Sequence, residues 1–218
     1  MTRLDLAFAA GVFDCDGLLV DTAACWRFAF EAAAGQTLPE EVHSALAGAS
    51  TRTGAELLSR RLGRSIAPED IEAGLHASLK TVELRPLPGV EEFLETLRGH
   101  LPLAVATNGS ASFVDAVLGE RLRRFFQRVV ASAEAGADKP ASDVYLAACA
   151  ALGVAPADAV AFEDSPPGAQ SARAAGLAVV VVNAEPQPEA KAAAHLVVAR
   201  IDDPLVAAFL RSGPLGDD

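Results

Sequence analysis

The chain has 218 residues, enough for one domain of ordinary size with or without a modest insertion. Hydrophobic residues make up 51% and charged residues 22% of it, and this balance excludes a disordered or a fibrous protein. The formal net charge of -11 argues against a nucleic acid or an anionic membrane surface as the partner, because an acidic protein repels both.

The first predicted element is a buried strand over residues 4–13. This apolar run ends at Asp14, Asp16 and Gly17, so the strand would present two carboxylates at its C-terminal end. The run is too short to span a bilayer, and the acidic residues behind it do not fit a signal peptide. The three cysteines stand far apart without Cys-x-x-Cys spacing, which suits a reducing compartment. We therefore expect a cytoplasmic protein, and we expect it to be a monomer.

Residues 22–85 carry apolar side chains at helical spacing and no convincing strand. They predict a small helical domain inserted after the first strand, and residues 1–21 and 86–218 would together form the core. The two points where the chain crosses between core and insertion would act as hinges.

The rest of the chain alternates strands with helices of about a dozen residues. The predicted strands cover residues 103–106, 128–131, 159–162 and 178–182, and the predicted helices cover 89–98, 111–118, 142–152 and 168–175. Such alternation implies right-handed parallel crossovers, and thus a doubly wound, Rossmann-like α/β sheet. Ligands bind to such sheets outside the carboxyl ends of the strands, where the polar clusters of this sequence fall.

The chemistry that these clusters favour is phosphoryl transfer by a carboxylate. Asp14 could attack phosphorus if a metal ion neutralised the repulsion between the two anions. Asp16 points to the same side of an extended chain, where it could protonate the leaving oxygen and later accept a proton from water. Alone, an Asp-x-Asp pair after a strand is more often a turn or a surface cation site, so the interpretation depends on further residues.

Those further residues follow the later strands. Thr107 offers a hydroxyl and neighbouring backbone N–H groups to a phosphate, and Lys139 offers a positive charge. Glu163 and Asp164 supply hard oxygen ligands that suit Mg²⁺ shared with Asp14. The four histidines are scattered along the sequence and are expected at the surface or in the core rather than as ligands.

Four segments, in order, resemble the motifs of the haloacid dehalogenase-like hydrolases, in the branch of small phosphatases and β-phosphoglucomutase-like enzymes. They are FDCDGLLVDT at 13–22, ATNGS at 106–110, DKP at 138–140 and FEDSPPG at 162–168. The resemblance implies that Asp14 becomes an aspartyl-phosphate. It also implies a magnesium ion held by Asp14, by the backbone carbonyl of Asp16, and by Glu163 and Asp164. Relatives that cleave carbon–halogen bonds lack the second Asp of the first motif, so the presence of Asp16 favours phosphoryl transfer.

The insertion resembles the family's small cap, which closes over the core and selects the substrate. Residues 48–52 resemble a cap loop that carries an Arg toward the substrate, which makes Arg52 a candidate substrate-binding residue beside Asn108 and Gly109 of the second motif. Arg52 stands one position later than in the mutases, and the alternative is a solvated Arg at a helix start. Trp26 occupies the position of a His that times the acid/base Asp in the mutases. It either lines the site or, the reading we favour, fills the cap core.

We therefore expect a magnesium-dependent phosphatase that hydrolyses a small phosphorylated metabolite, such as a sugar or polyol phosphate. A phosphomutase of the β-phosphoglucomutase type is the alternative, and the loss of the His at Trp26 argues against it. A non-catalytic binding module on the same fold is a rival from another class, but none of the four motifs has decayed. A dinucleotide-dependent oxidoreductase would need a Gly-x-Gly-x-x-Gly where Asp14 and Asp16 stand.

Overall fold

The computed structural model describes residues 5–214, and these contain a six-stranded parallel sheet. The strands are β1 (Ala10–Phe13), β2 (Leu103–Thr107), β3 (Arg128–Ala131), β4 (Ala159–Glu163), β5 (Ala178–Val182) and β6 (Leu196–Val198). They lie in the order β3-β2-β1-β4-β5-β6, with every neighbouring pair parallel. The predicted doubly wound α/β fold is confirmed.

Four helices lie between β1 and the remainder of the core: α1 (Ala23–Ala34), α2 (Glu40–Leu46), α3 (Thr51–Leu62) and α4 (Pro68–Ser78). These helices and the turns between them are called the cap below. Helices α1 and α4 cross closely because Gly74 has no side chain, and a Cβ there would come within 2.7 Å of the Cα of Ala29. The two chain crossings lie side by side, since Val20 and Pro86 form an isolated antiparallel bridge. The domain boundaries at residues 21/22 and 85/86 stay a prediction.

The core helices are α5 (Val90–Leu97), α6 (Ala111–Arg123), α7 (Ser132–Ala135), α8 (Asp143–Leu152), α9 (Pro166–Ala174), α10 (Pro188–Ala193) and α11 (Pro204–Ser212), with a 3₁₀ turn at Pro156–Asp158. Both faces of the sheet are buried beneath them. On one face Phe13 stacks on Phe162, with ring centroids 4.5 Å apart. Cys15 is fully buried, as the alternation of side chains along the first strand predicts.

The structure differs from the sequence-based elements in three places. Strand β1 begins at Ala10 rather than at residue 4, which lies outside the described residues, because the backbone N–H groups of Ala7 and Ala9 bond to Leu210 and Asp158 and not to a neighbouring strand. Helix α6 continues beyond Gly119, the expected end, with a local break there (φ 52°). The short strand β6 and the core helices α7, α10 and α11 were not predicted.

None of the helices within residues 5–214 is both long enough and apolar enough to cross a membrane.

Candidate active site

The site lies at the topological switch point of the sheet, between β1 and β4, where the strand order runs outward in opposite directions. Asp14 directly follows β1, Glu163 ends β4, and Asp164 follows it. The carboxyl ends of these neighbouring strands therefore bring the acids together. The turn after β1 passes so close to β4 that a Cβ at Gly17, whose φ is 80°, would overlap the carboxylate of Asp164. Only glycine combines that backbone conformation with that approach.

Lys139 joins two of the acids in the interior. Its Nζ lies 2.6 Å from Oδ1 of Asp14 and 2.6 Å from Oε1 of Glu163, and its side chain is 3% exposed. A charged lysine buried here would destabilise the fold without the two carboxylates beside it. The buried carboxylates would likewise destabilise the fold without the lysine. The bond to Oδ1 fixes the orientation of Asp14 and leaves its other oxygen, Oδ2, free of the lysine.

Glu163 is anchored on both of its oxygens. Oε1 also accepts a hydrogen bond of 2.7 Å from the hydroxyl of Tyr145, while Oε2 accepts one of 3.1 Å from the hydroxyl of Ser165. Its carboxylate lies against Gly168 at the start of α9, where a Cβ would overlap it. Glu163 is fully buried, so its contacts make it a fixed support for Lys139.

Asp16 is held by two donors from the chain that enters the cap. Its Oδ1 accepts a 2.6 Å hydrogen bond from the hydroxyl of Thr22 and a 3.0 Å bond from Nε1 of Trp26. The indole also packs on Phe30 and edge-on against Phe113. The favoured expectation that Trp26 merely fills the cap core is therefore wrong, because Trp26 packs there and also lines the cavity.

Burial raises the pKa of two of these acids, Asp14 and Asp164. It raises the pKa of Asp14 to about 8, with Lys139 acting against it and with Glu163 and Asp16 adding to it. Burial, followed by the charge of Asp14, also raises the pKa of Asp164 well above its usual range. Burial alone would lower the pKa of Lys139, but the charges of Asp14 and Glu163 outweigh it and raise that pKa. The acids outnumber the single lysine, and the site is short of positive charge.

A divalent cation would supply that charge. Asp14, Glu163 and Asp164 each offer a carboxylate oxygen, and these atoms lie within 4.8 Å of one another. All are hard oxygen donors of the kind that Mg²⁺ prefers. Asp14 and Asp164 line the cavity, whereas the oxygens of Glu163 are already engaged by protein donors. The residues fit a magnesium ion, with Asp14 and Asp164 the more available ligands.

The loop after β2 ties the core to the cap. The hydroxyl of Thr107 is buried and accepts a 2.9 Å hydrogen bond from the N–H of Gly109. The Asn108 side chain lines the cavity, where it donates to the carbonyl of Gly48 in the cap and accepts from the backbone N–H of Lys139, each at 2.9 Å. Both polar ends of Asn108 are thus engaged by protein.

The cap lies over the core and encloses a cavity of about 360 Å³ between them. Ser50, the N-cap residue of α3, donates a short hydrogen bond to Asp138, next to Lys139. On the other side, Oε1 of Glu72 accepts a 2.5 Å bond from the hydroxyl of Ser110. The lining from the core includes Asp14, Asp16 and Asp164. The lining from the cap is largely apolar, with Trp26, Phe30, Leu46, Ala47 and Ala49.

The structure does not bring Arg52 to this cavity. Its side chain is exposed and lines a separate groove on the outside of α3, together with Glu56 and Arg60. Ser50 caps the first turn of α3 by accepting from the N–H of Thr53, and position 52, two residues after the cap, lies on the exposed side of the helix. Of the two alternatives, this geometry corresponds to the solvated Arg at a helix start.

Two residues of the site were missed by sequence reasoning. Tyr145 lies in an apolar helical run that gives no sign of its bond to Glu163. His43 is 8% exposed and lines the cavity from α2, although we expected a surface or core position for it. The Glu-rich start of α2 gives no indication that this His lines a cavity.

Comparisons with known proteins show the family of this chain. The family profile of the haloacid dehalogenase-like hydrolases matches residues 9–176. The chain is 35% identical to Protein CbbY of Rhodobacter capsulatus over 195 residues, covering 80% of this chain and 85% of that protein. It is 33% identical to the fructose-1-phosphate phosphatase YqaB of Escherichia coli (strain K12) over 184 residues, covering 80% of this chain and 96% of that protein.

A crystal structure of β-phosphoglucomutase from Clostridium difficile has the same fold. Its TM-score is 0.80 at 18% identity, over 92% of this chain and 96% of that one. The expected enzyme class, a phosphoric monoester hydrolase, agrees with the phosphatase names among the relatives. The chain belongs to the haloacid dehalogenase-like hydrolase family.

Proposed function

We propose that the chain is a magnesium-dependent phosphatase that hydrolyses a small phosphorylated metabolite through an aspartyl-phosphate on Asp14. The observation that carries the proposal is the Asp14 carboxylate itself. It lines the cavity at the sheet's switch point, and Lys139 holds its Oδ1 at 2.6 Å while Oδ2 is left for attack. A carboxylate oriented in this way is poised for in-line displacement at a phosphate ester.

The first step forms a bond between Oδ2 of Asp14 and phosphorus and breaks the bond from phosphorus to the ester oxygen. Asp16 donates its proton to that leaving oxygen, so the product is an alcohol. In the second step water attacks phosphorus, its proton passes to the carboxylate of Asp16, and the bond to Asp14 breaks. Inorganic phosphate is released, and both aspartates return to their starting states.

Asp14 and Asp164 would hold the magnesium ion, with the backbone carbonyl of Asp16, and Glu163 would hold Lys139 in place. The ion would supply positive charge that offsets the repulsion between the phosphate and the carboxylates. Two facts support this division: Asp14 and Asp164 line the cavity, and both oxygens of Glu163 accept hydrogen bonds from protein groups.

The substrate we propose is a sugar or polyol phosphate. A cavity of about 360 Å³ falls in the range that holds a small metabolite. The relative YqaB is named a fructose-1-phosphate phosphatase, and another relative, from Thermotoga maritima, is named a phosphorylated carbohydrates phosphatase. We propose that Asn108 and Gly109 contribute to the phosphate side of this cavity together with Thr107.

Two features favour hydrolysis over phosphomutation. A mutase must bind a substrate that carries phosphate at either of two positions, so it needs positive charge on the cap side as well. Among the described residues that line the cavity, the cap contributes one arginine, Arg27, and it pairs with Glu40 at 2.8 Å. Trp26 contacts Asp16 through an indole N–H, which can donate a hydrogen bond but cannot take up or release a proton near neutral pH. The His that stands there in the mutases can do both.

A panel of phosphorylated metabolites separates the alternatives. The purified protein with Mg²⁺ should release inorganic phosphate from sugar or polyol phosphates, and Asp14→Asn should not. An isomerised phosphate ester without release would establish the mutase instead. Absence of any release, with wild type and Asp14→Asn behaving identically, would leave the non-catalytic binding module. A cytoplasmic location and a monomeric state stay predictions.

A further inference from the structure

The cap wall of the cavity contains a histidine that the proposed reaction leaves without a role. His43 lies on α2 and is 8% exposed, and its ring lines the same cavity as Asp14. Most of the surrounding cap wall is apolar, including Trp26, Phe30 and Leu46. Burying a polar ring in an apolar wall costs free energy unless the ring is hydrogen-bonded. A nitrogen of such a ring that still faces the cavity can select ligands that offer it a hydrogen bond.

One nitrogen of this ring is held by a carboxylate from the neighbouring helix. Nε2 of His43 lies 3.2 Å from Oε1 of Glu31 on α1. The same Glu31 oxygen accepts a 3.1 Å hydrogen bond from the backbone N–H of Leu38, which fixes the carboxylate between α1 and α2. The N–H of Leu38, and then His43, lower the pKa of Glu31, so Glu31 remains an acceptor.

The partner of Nε2 determines what the other nitrogen can do. Because Glu31 is a carboxylate, Nε2 of the neutral ring must carry the proton, and Nδ1 is then an acceptor. A group that donates to Nδ1 from the cavity would be a hydroxyl or an N–H on the substrate. The other polar pair on this wall, Arg27 and Glu40, satisfies itself at 2.8 Å.

We propose that His43, oriented by Glu31, is a specificity-determining residue that accepts a hydrogen bond from a hydroxyl group of the substrate's leaving group. The inference rests on the proposed function and deepens it, since it assigns a residue to the choice of a polyol or sugar over an apolar alcohol. A phosphate ester without the hydroxyl leaves Nδ1 unpaired in an apolar wall, and such losses discriminate well between substrates.

A matched pair of substrates isolates this contact. A hexitol phosphate and n-hexyl phosphate have the same chain length and reacting group and differ in their hydroxyls. The ratio of their kcat/KM values in the presence of Mg²⁺ is the readout. In His43→Leu the ratio should fall about tenfold, because one hydrogen bond to the hydroxylated substrate is lost. His43→Asn places an acceptor near the position of Nδ1 and should restore part of the preference.

His76→Leu is the control variant. His76 is a histidine of the same cap whose Nε2 also contacts a glutamate, Glu72, at 3.0 Å, but its ring lies against Ser112 and Phe113 of the core rather than in the cavity. Any effect of this variant should be equal for the two substrates, since it acts through the contact between cap and core.

An unchanged ratio in His43→Leu, which includes an equal fall of both kcat/KM values, would overturn the inference and leave the proposed phosphatase activity in place. A wild-type protein that hydrolyses neither substrate, nor any other phosphate ester, would overturn the proposed function and the inference with it. If His43→Leu abolishes the preference for the hexitol phosphate and hydrolyses n-hexyl phosphate as the wild type does, the result supports both the proposed function and the inference.

Discussion

Replacing Trp26 with phenylalanine removes the indole donor from Asp16 and keeps an aromatic ring between Phe30 and Phe113. In the structure Nε1 of Trp26 donates to Oδ1 of Asp16 at 3.0 Å, and Thr22 donates to the same oxygen at 2.6 Å. Burial raises the pKa of Asp16, and the bonds from Thr22 and Trp26 act against it. The variant should therefore raise that pKa further.

The size of the shift follows from the bond that is lost. A hydrogen bond to a charged group contributes about 1.5 kcal/mol at the lower end of its range, which suits a donor that shares its acceptor with Thr22. At about 1.4 kcal/mol for each pKa unit, Trp26→Phe should raise the pKa of Asp16 by about one unit.

The pH dependence of kcat/KM reports this change. Asp16 must be protonated to deliver a proton to an alkyl leaving group, so the activity falls as the pH rises through its pKa. With an alkyl phosphate the alkaline limb should move up by about one pH unit in Trp26→Phe. With p-nitrophenyl phosphate, whose leaving group departs without a proton, that limb should not depend on the variant.

Phe113→Leu serves as the control, because Phe113 packs on Trp26 and makes no bond to Asp16. It should lower stability and leave both profiles in place. Identical alkaline limbs in wild type and Trp26→Phe, or equal movement with both substrates, would refute the assignment of Asp16 as the acid.

Two further predictions concern the buried charges. Lys139→Met leaves Asp14 and Glu163 without their shared partner and should cost about 3–5 kcal/mol of unfolding free energy, measured by urea denaturation. Adding Glu163→Gln to this variant should recover part of the loss. A cost below about 1 kcal/mol for Lys139→Met would contradict the buried network. Gly168→Ala adds a Cβ that overlaps the carboxylate of Glu163 and should cost about 1–3 kcal/mol together with much of the phosphatase activity. Gly63→Ala, where a Cβ meets open space but the backbone is left-handed (φ 65°), should lower stability and leave that activity intact, and equal activity in the two variants would refute the argument from Glu163.

The central strands of the fold could be predicted because each of them has a clear sequence pattern. The runs that end at Asp14, Thr107 and Glu163 are apolar, are four or more residues long and are followed by polar residues. Parallel strands place those ends at one edge, so the convergence of the acids follows from the pattern. Strand β6 has three residues, too few for a periodic signal, and it is recognisable only from its pairing with β5.

The cap could be predicted as helical, but not which of its side chains reach the cavity. The loop at residues 48–52 left two alternatives for Arg52, a substrate contact or a solvated Arg at a helix start, and the structure has it exposed in a groove outside the cavity. His43 and Trp26 face the cavity because of how α1 and α2 pack over the core. That packing depends on contacts far apart in the sequence, such as Asn108 with Gly48, which no local pattern contains.

The most direct test of the account is the chemical fate of Asp14 during turnover. The enzyme is mixed with Mg²⁺ and an alkyl phosphate, quenched in acid, digested, and analysed by mass spectrometry. Asp16→Asn is mixed instead with p-nitrophenyl phosphate, whose leaving group needs no proton; this variant lacks the base for the second step and should accumulate the intermediate. The account predicts that the peptide carrying Asp14 gains one phosphoryl group and that Asp14→Asn does not. Release of phosphate without a phosphorylated Asp14, or a phosphoryl group on another residue, would contradict it.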